Sequence, residues 1–85
     1  MLMYAWETVP AAPGREYGVS GDADRARELA AAVLLASPVA EAALVTEARA
    51  DRSARYTPTG KSWTGLRDGD GGVGWTQAEA PAAVA

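Results

Sequence analysis

The chain contains neither cysteine nor histidine, and this double absence limits how it can be stabilised. Without cysteine it can form no disulfide, thiolate metal site or cysteine nucleophile, and without histidine it lacks the commonest metal ligand and general base. A chain of 85 residues forms one domain and buries only about 60% of the surface of its unfolded state. The hydrophobic core alone must therefore hold the fold.

Two short strands are predicted at the N-terminus. Residues 2–9 alternate as a strand does, and Tyr4, Trp6 and Thr8 fall on one of its faces. A loop with two prolines and a glycine follows, and residues 15–19 then form a second strand. The two strands are expected to pair as a hairpin.

An amphipathic helix is predicted at residues 22–36. Asp22 is a suitable N-cap, because its side chain can accept hydrogen bonds from the first helical turn. Pro38 ends the helix, since the residue before a proline disfavours the α region. The apolar residues at helical spacing are Ala26, Leu29, Ala30, Val33 and Leu34.

Residues 39–51 fit two patterns. Ser37 and Pro38 followed by Glu41 resemble a helix N-cap with proline at the first position, and the alanines favour a helix. The same residues alternate as a strand, and without this strand the sheet would be short. We therefore predict a strand. Its apolar face comprises Ala42, Leu44, Thr46, Ala48 and Ala50, and its largely charged face comprises Glu41, Ala43, Val45, Glu47, Arg49 and Asp51.

A hairpin is predicted near the C-terminus. Residues 56–60 form a turn-rich connector, and strands at 62–67 and 73–77 then flank a turn with three glycines, which accept positive φ angles. If the numbers of paired residues in these two strands sum to an even value, four residues share one face of the hairpin. A Trp ring that packs over a bare glycine backbone then helps to set the register. The four residues are Trp63, Gly65, Val73 and Trp75.

The elements together predict an α+β fold of order ββαβββ. A single helix packs on an antiparallel sheet of four to five strands, residues 1–77 form the domain, and residues 78–85 form a disordered tail. Tryptophan rings dominate so small a core, since each buries about 150–250 Å². The predicted core comprises Tyr4 or Trp6, Leu29, Val33, Leu34, Leu44, Leu66 or Trp63, and Trp75.

The sequence contains residues spaced as in motifs that bind dinucleotides or calcium, but without the structural context that these motifs need. Gly69, Gly71 and Gly74 have the G-x-G-x-x-G spacing, but a dinucleotide site needs a helix after the last glycine, and a strand follows here. The same turn departs from a calcium loop at Gly72 and Val73. The sequence therefore predicts no cofactor, no metal and no catalytic residues.

The charge is unevenly distributed along the chain. Residues 49–67 hold five basic residues against one aspartate, whereas residues 1–48 hold three basic residues against seven acidic ones. Basic side chains interleaved with aromatic ones can bind nucleic acid. The same cations can instead neutralise the acidic helix or strand of the same molecule, or meet an acidic face of another copy. The candidate interaction surface comprises Arg49, Arg52, Arg55, Tyr56, Lys61, Trp63 and Arg67.

Three segments carry a resemblance to known proteins: Tyr17-Gly-Val-Ser-Gly-Asp-Ala-Asp-Arg-Ala, Tyr56-Thr-Pro-Thr-Gly-Lys-Ser-Trp63 and Gly72-Val-Gly-Trp75-Thr. With the helix between them, they are similar to a group of small actinobacterial proteins of the Streptomyces type. The resemblance covers residues 4–77 and implies a compact α+β domain. It implies no activity and transfers no functional residue.

We therefore expect a non-enzymatic interaction or regulatory module that acts through an unidentified protein partner or as a homodimer. The alternative is a nucleic-acid-binding domain that uses the basic segment 49–67. The longest apolar run is far shorter than the roughly 18 residues of a membrane span, and the N-terminus lacks a basic region. A cytoplasmic protein that does not associate with membranes is expected.

Overall fold

The computed structural model describes residues 1–10, 17–53 and 55–79. The described residues form one helix on one face of a five-stranded antiparallel sheet, with strand order β2-β1-β3-β4-β5. The predicted α+β fold and its ββαβββ order are confirmed. The elements are β1 (Leu2–Val9), β2 (Tyr17–Ser20), α1 (Ala23–Ala36), β3 (Ala42–Ala50), β4 (Tyr56–Arg67) and β5 (Val73–Glu79).

Helix α1 begins where its capping signal predicts. The Asp22 carboxylate accepts hydrogen bonds from the backbone N–H groups of Asp24 at 2.8 Å and Arg25 at 3.2 Å. These bonds satisfy two of the amides that have no partner within the first turn. The small side chains of Ala26 and Ala30 are fully buried against the sheet and let the helix backbone approach it closely.

Strand β3 has the predicted type, but its two faces are exchanged. Val45 and Glu47 are buried on the helix side, whereas Leu44 lies on the opposite face. The register pairs Val45 with Trp6 on β1 and with Trp63 on β4. Both rings lie on the helix side, so Val45 must lie there too, and the predicted inward face of β3 turns outward.

The predicted connector at residues 56–60 is instead the first part of β4. Its first three residues pair with the end of β3, over Ala48–Ala50. A β-bulge then shifts the register, and Gly60, with a φ angle of 96°, occupies it. Proline and glycine are tolerated at bulges, so residues that resemble a turn in the sequence remain in the strand.

The turn between β3 and β4 is organised by Asp51. Its carboxylate accepts hydrogen bonds from the Ser53 hydroxyl at 2.7 Å, the Ser53 backbone N–H at 2.8 Å and the Arg55 backbone N–H at 3.0 Å. These bonds, led by the one from the Ser53 hydroxyl, lower the pKa of Asp51. The side chain therefore replaces the glycine or proline signal expected of a hairpin turn.

The β4–β5 hairpin has the predicted register. Gly65 lies directly opposite Trp75, and a Cβ atom built on Gly65 would lie 2.9 Å from the indole ring. The same arrangement occurs in the first hairpin, where Trp6 packs over Gly18. Strand β5 extends to Glu79, so residues 78 and 79, predicted to be part of a tail, belong to the sheet. Residues 80–85 and the predicted loop and strand residues at 11–16 lie outside the described residues.

The core lies between α1 and the first three strands. Leu34 is buried as predicted, and of the alternatives Leu66 and Trp63 it is Trp63 that is buried. Leu44 lies on the opposite face of the sheet, so its assignment to the core is wrong. Alanines from the helix and from β3 take its place. The buried cluster comprises Trp6, Ala26, Ala30, Leu34, Ala40, Ala43, Val45 and Trp63, with Tyr4, Leu29, Val33, Val73 and Trp75 partly buried around it.

Candidate interaction surfaces

The basic segment is divided by β4: three of its arginines lie around the β3–β4 turn, whereas Lys61 and Arg67 lie farther along the strand. Arg55 and Arg67 stand at opposite ends of this 12-residue strand, roughly 35 Å apart at about 3.3 Å per residue. That separation approaches the longest dimension of the molecule, 39 Å. Continuity in sequence therefore does not give a continuous basic surface.

Arg67 is occupied by the end of the helix. Its guanidinium donates 2.6 Å hydrogen bonds to the backbone carbonyl oxygens of Leu34, Ser37 and Ala40. The first of these carbonyls lies in the last turn of α1, where carbonyl oxygens have no partner within the helix. Arg67 is therefore a helix-capping residue, and three of its five N–H donors are already in use.

Trp63, unlike Arg67, is withdrawn from the surface. It is 8% exposed, its ring centroid lies 5.9 Å from that of Tyr4, and the Arg27 guanidinium lies 5.2 Å from the ring centroid. A cation over an indole face is attracted by the ring quadrupole. Because Tyr4 and Arg27 already pack against this ring, Trp63 presents no free face on which a base could stack.

Three arginines remain exposed around the β3–β4 turn: Arg49, Arg52 and Arg55. Among residues 1–10, 17–53 and 55–79, the ion pairs are Arg25–Glu28 and Arg27–Asp24, both on the helix. The acidic helix therefore does not neutralise the three arginines within the described structure. Tyr56 lies beside them but belongs to the opposite face of the sheet.

A polar cluster surrounds the buried Glu47 carboxylate. The Thr59 hydroxyl donates a 2.8 Å hydrogen bond to Glu47 Oε1, and this bond is the main cause that lowers the pKa of Glu47. Burial of Tyr4, followed by its interaction with the Glu47 carboxylate, raises the pKa of Tyr4. The negative charge stays on Glu47 and the proton on Tyr4, so the pair offers no acid or base poised near neutral pH.

A groove of about 430 Å³ separates the helix from β5. It exists because α1 lies mainly over β1, β2 and β3, contacts only part of β4 and leaves most of the helix side of β5 uncovered. Val73 and Trp75 line its sheet side, and the Arg27–Asp24 ion pair lines its helix side. No cluster of three or more acidic side chains in the described ranges could hold a metal ion.

The opposite side of the sheet is the largest uniform surface, and we call it the open sheet face. It comprises the odd-numbered residues of β1 and β2 and the even-numbered residues of β3, β4 and β5, except Gly60 in the bulge. Glu7 is the one charged residue in this set. Its large apolar side chains that are 42–69% exposed are Val9, Tyr17, Val19, Tyr56 and Leu66.

The open sheet face has a hollow at one end and exposed side chains at the other. The hollow has a volume of about 230 Å³ and is lined by Met3, Ala5, Val19, Ala48 and Tyr56. A solvated face of an antiparallel sheet normally alternates towards polar and charged residues. The even-numbered residues of β3 and β4 lack charge, and this is the sequence signal that could have identified the face.

Comparison of the chain with protein-family models, with curated proteins and with solved structures found no match. No helix in the described part of the chain has the length and apolar character needed to cross a membrane. The functional proposal therefore depends on the surfaces themselves, of which the open sheet face differs most from an ordinary solvated surface.

Proposed function

We propose that this protein is a non-enzymatic interaction module whose docking surface is the open sheet face. One observation carries the proposal: a five-stranded face has Glu7 as its single charged residue and is covered by no other element in the described chain. Five strands spaced about 4.8 Å apart, with about seven residues of 3.3 Å each, span roughly 500 Å². The largest apolar patch on a monomeric protein commonly measures about 300–600 Å² and is often functional.

The non-enzymatic part of the proposal is supported by the residues available. Cysteine and histidine are lacking, and the pKa shifts of Tyr4 and the buried Glu47 move both groups away from neutral pH. We propose that no cofactor is needed and that the protein acts in the cytoplasm. Turnover of any substrate by the purified chain would overturn this part.

A matched pair of substitutions tests the docking surface. Thr46 is exposed near the middle of the open sheet face, and Thr57 is exposed on the opposite face of the neighbouring strand. Thr46→Glu places a charge where a partner would bury it, whereas Thr57→Glu places the same charge outside the contact. Exposed substitutions of this kind usually change stability by less than about 0.5 kcal/mol.

The assay compares tagged wild type, T46E and T57E expressed in the organism that encodes the protein. We expect wild type and T57E to retain the same proteins, including untagged copies of the chain, and T46E to lose them. Burying an uncompensated charge in the contact accounts for the loss. The proposal fails if T46E retains everything that wild type retains, or if wild type retains nothing.

Nucleic-acid binding remains the second candidate, supported by the three exposed arginines at the β3–β4 turn, Arg49, Arg52 and Arg55. The buried ring of Trp63 and the occupied donors of Arg67 reduce the support for it. Titration with single-stranded and duplex oligonucleotides at about 50 and 200 mM salt tests it, because phosphate contacts weaken steeply over that range. We expect no binding at either salt concentration.

A further inference from the structure

We infer that the occupant of the open sheet face is a second copy of this chain, packed face to face as a two-fold symmetric dimer. The inference rests on the proposed function, because it names the partner that the docking surface takes. Three properties of the face support a second copy over a different protein: its charge, its shape and its area.

The charge of the face is compatible with contact against itself. In a two-fold interface the same patch meets itself, so a cluster of like charges would repel its own copy. The open sheet face carries only the Glu7 carboxylate among its described residues, whereas both ion pairs of the described structure lie on the helix. A partner of different sequence is commonly selected by a complementary charge pattern, and this face offers none.

The shape of the face is also compatible with a two-fold contact. The apolar hollow lies at the end of the sheet where Met3 pairs with Ala48, and the exposed side chains of Val9 and Leu66 lie at the other end. A two-fold axis that runs across the strands, between two sheets about 10 Å apart, brings each of these ends against the hollow of the other copy. Both hollows are then filled at once.

A stable dimer would need contact over most of the open sheet face. A standard interface buries about 800 Å² on each partner. The flat area of the open sheet face is roughly 500 Å², and its side chains make the accessible area larger. A contact over all five strands therefore approaches the area of a stable dimer, whereas a contact over one or two strands does not.

Glu7 provides a specific test of this arrangement. It lies on β1, the second of five strands, and is therefore inside the contact. A carboxylate in an apolar contact opposes association, so Glu7→Gln should tighten the dimer by about tenfold. Glu28→Gln is the matched control, because Glu28 lies on the exposed surface of the helix and pairs with Arg25.

The experiment is sedimentation equilibrium on the purified full chain at about 1–500 µM, with far-ultraviolet circular dichroism to verify folding. We expect wild type, T57E and E28Q to dimerise alike, T46E to dimerise at least about tenfold more weakly, and E7Q to dimerise more tightly. The E7Q result keeps the test decisive if T46E does not fold, since E7Q removes a charge from an exposed position.

Two outcomes would overturn the inference. A wild type that is monomeric up to about 500 µM excludes a second copy as the occupant. A dimer that responds to neither T46E nor E7Q forms through another surface. The proposed function is judged separately by the retention assay, since another protein retained by wild type and lost by T46E would support docking without self-association.

Discussion

Adding one methyl group should destabilise the fold at a glycine that a tryptophan ring covers. The same change should stabilise the fold at a glycine with open space around it. A Cβ atom at Gly18 would lie 2.7 Å from Trp6 Nε1 and 2.9 Å from Cζ2. Trp6 is 9% exposed and belongs to the buried core, so it has little room to move. At Gly74 nothing lies within 4 Å of the added atom, and the φ angle is not in the left-handed region.

The expected magnitudes follow from two opposing effects. Overpacking a core costs about 1–3 kcal/mol, whereas replacing glycine by alanine within a strand gains about 0.5–1 kcal/mol. Gly18→Ala should therefore lower the free energy of unfolding by about 1–2 kcal/mol, and Gly74→Ala should raise it by about 0.5–1 kcal/mol. Gly65→Ala should fall between them, because Trp75 is only half-buried and borders the groove.

Thermal unfolding followed by circular dichroism measures the series, at a protein concentration low enough to keep the chain monomeric, because Gly74 lies on the open sheet face. A change of 1 kcal/mol shifts the Tm of a domain of this size by roughly 4–8 °C. We expect Tm to decrease by about 5–15 °C for G18A and to increase by about 2–8 °C for G74A. Equal Tm values for G18A and G74A, or a G18A protein as stable as wild type, would refute the idea that the Trp6 ring requires a bare backbone beneath it.

Three further predictions concern polar contacts within the fold. Thr59→Val should destabilise the fold by about 1.5–3 kcal/mol in urea denaturation, because the Glu47 carboxylate then loses its hydrogen bond; an unchanged midpoint would contradict this. Since the fold lowers the pKa of Glu47, its contribution is present above about pH 4.5 and is lost as the pH falls through the pKa of the folded state. Glu47→Gln should therefore flatten the loss of stability below about pH 4.5, and an acid branch as steep as that of wild type would argue against it. Arg67→Lys should cost nearly as much as Arg67→Ala, about 1.5–3 kcal/mol, because an ammonium group cannot span three carbonyl oxygens; full stability in R67K would contradict this.

The elements that the sequence predicts correctly carry local signals. The N-cap at Asp22 and the apolar spacing identify the helix within a few residues, and the glycine turn before Val73 identifies the last hairpin. The shared face of Gly65 and Trp75 also agrees with the sequence, because every register with even sums places these two residues on one side of the sheet. Each of these features depends on residues close together in the chain.

The features that the sequence does not predict depend on distant contacts. The two faces of β3 are similar in character, since one contains Leu44 and Thr46 and the other Val45 and Glu47. Only the register with two tryptophans on neighbouring strands decides which face is buried. The role of Arg67 is equally hidden, because its three acceptors lie 27–33 residues earlier in the chain.

The candidate site shows the same limit. Residues 49–67 are contiguous and basic in the sequence, but the length of β4 separates Arg67 from the arginines around the β3–β4 turn. The open sheet face has the opposite property, because its residues come from all five strands and no short segment reveals it. A surface of this kind becomes visible only after the strand order and register are known.

The guanidinium of Arg67 also bears on how the molecule opens. Its hydrogen bonds connect the end of β4 to the last turn of α1 and to the segment leading into β3. One side chain therefore holds together two regions that are far apart in the sequence. The last helical turn cannot fray without releasing the β4 end of the C-terminal hairpin, and the hairpin cannot peel away without exposing the helix carbonyls. Local fluctuations at either place are thereby turned into a single cooperative event.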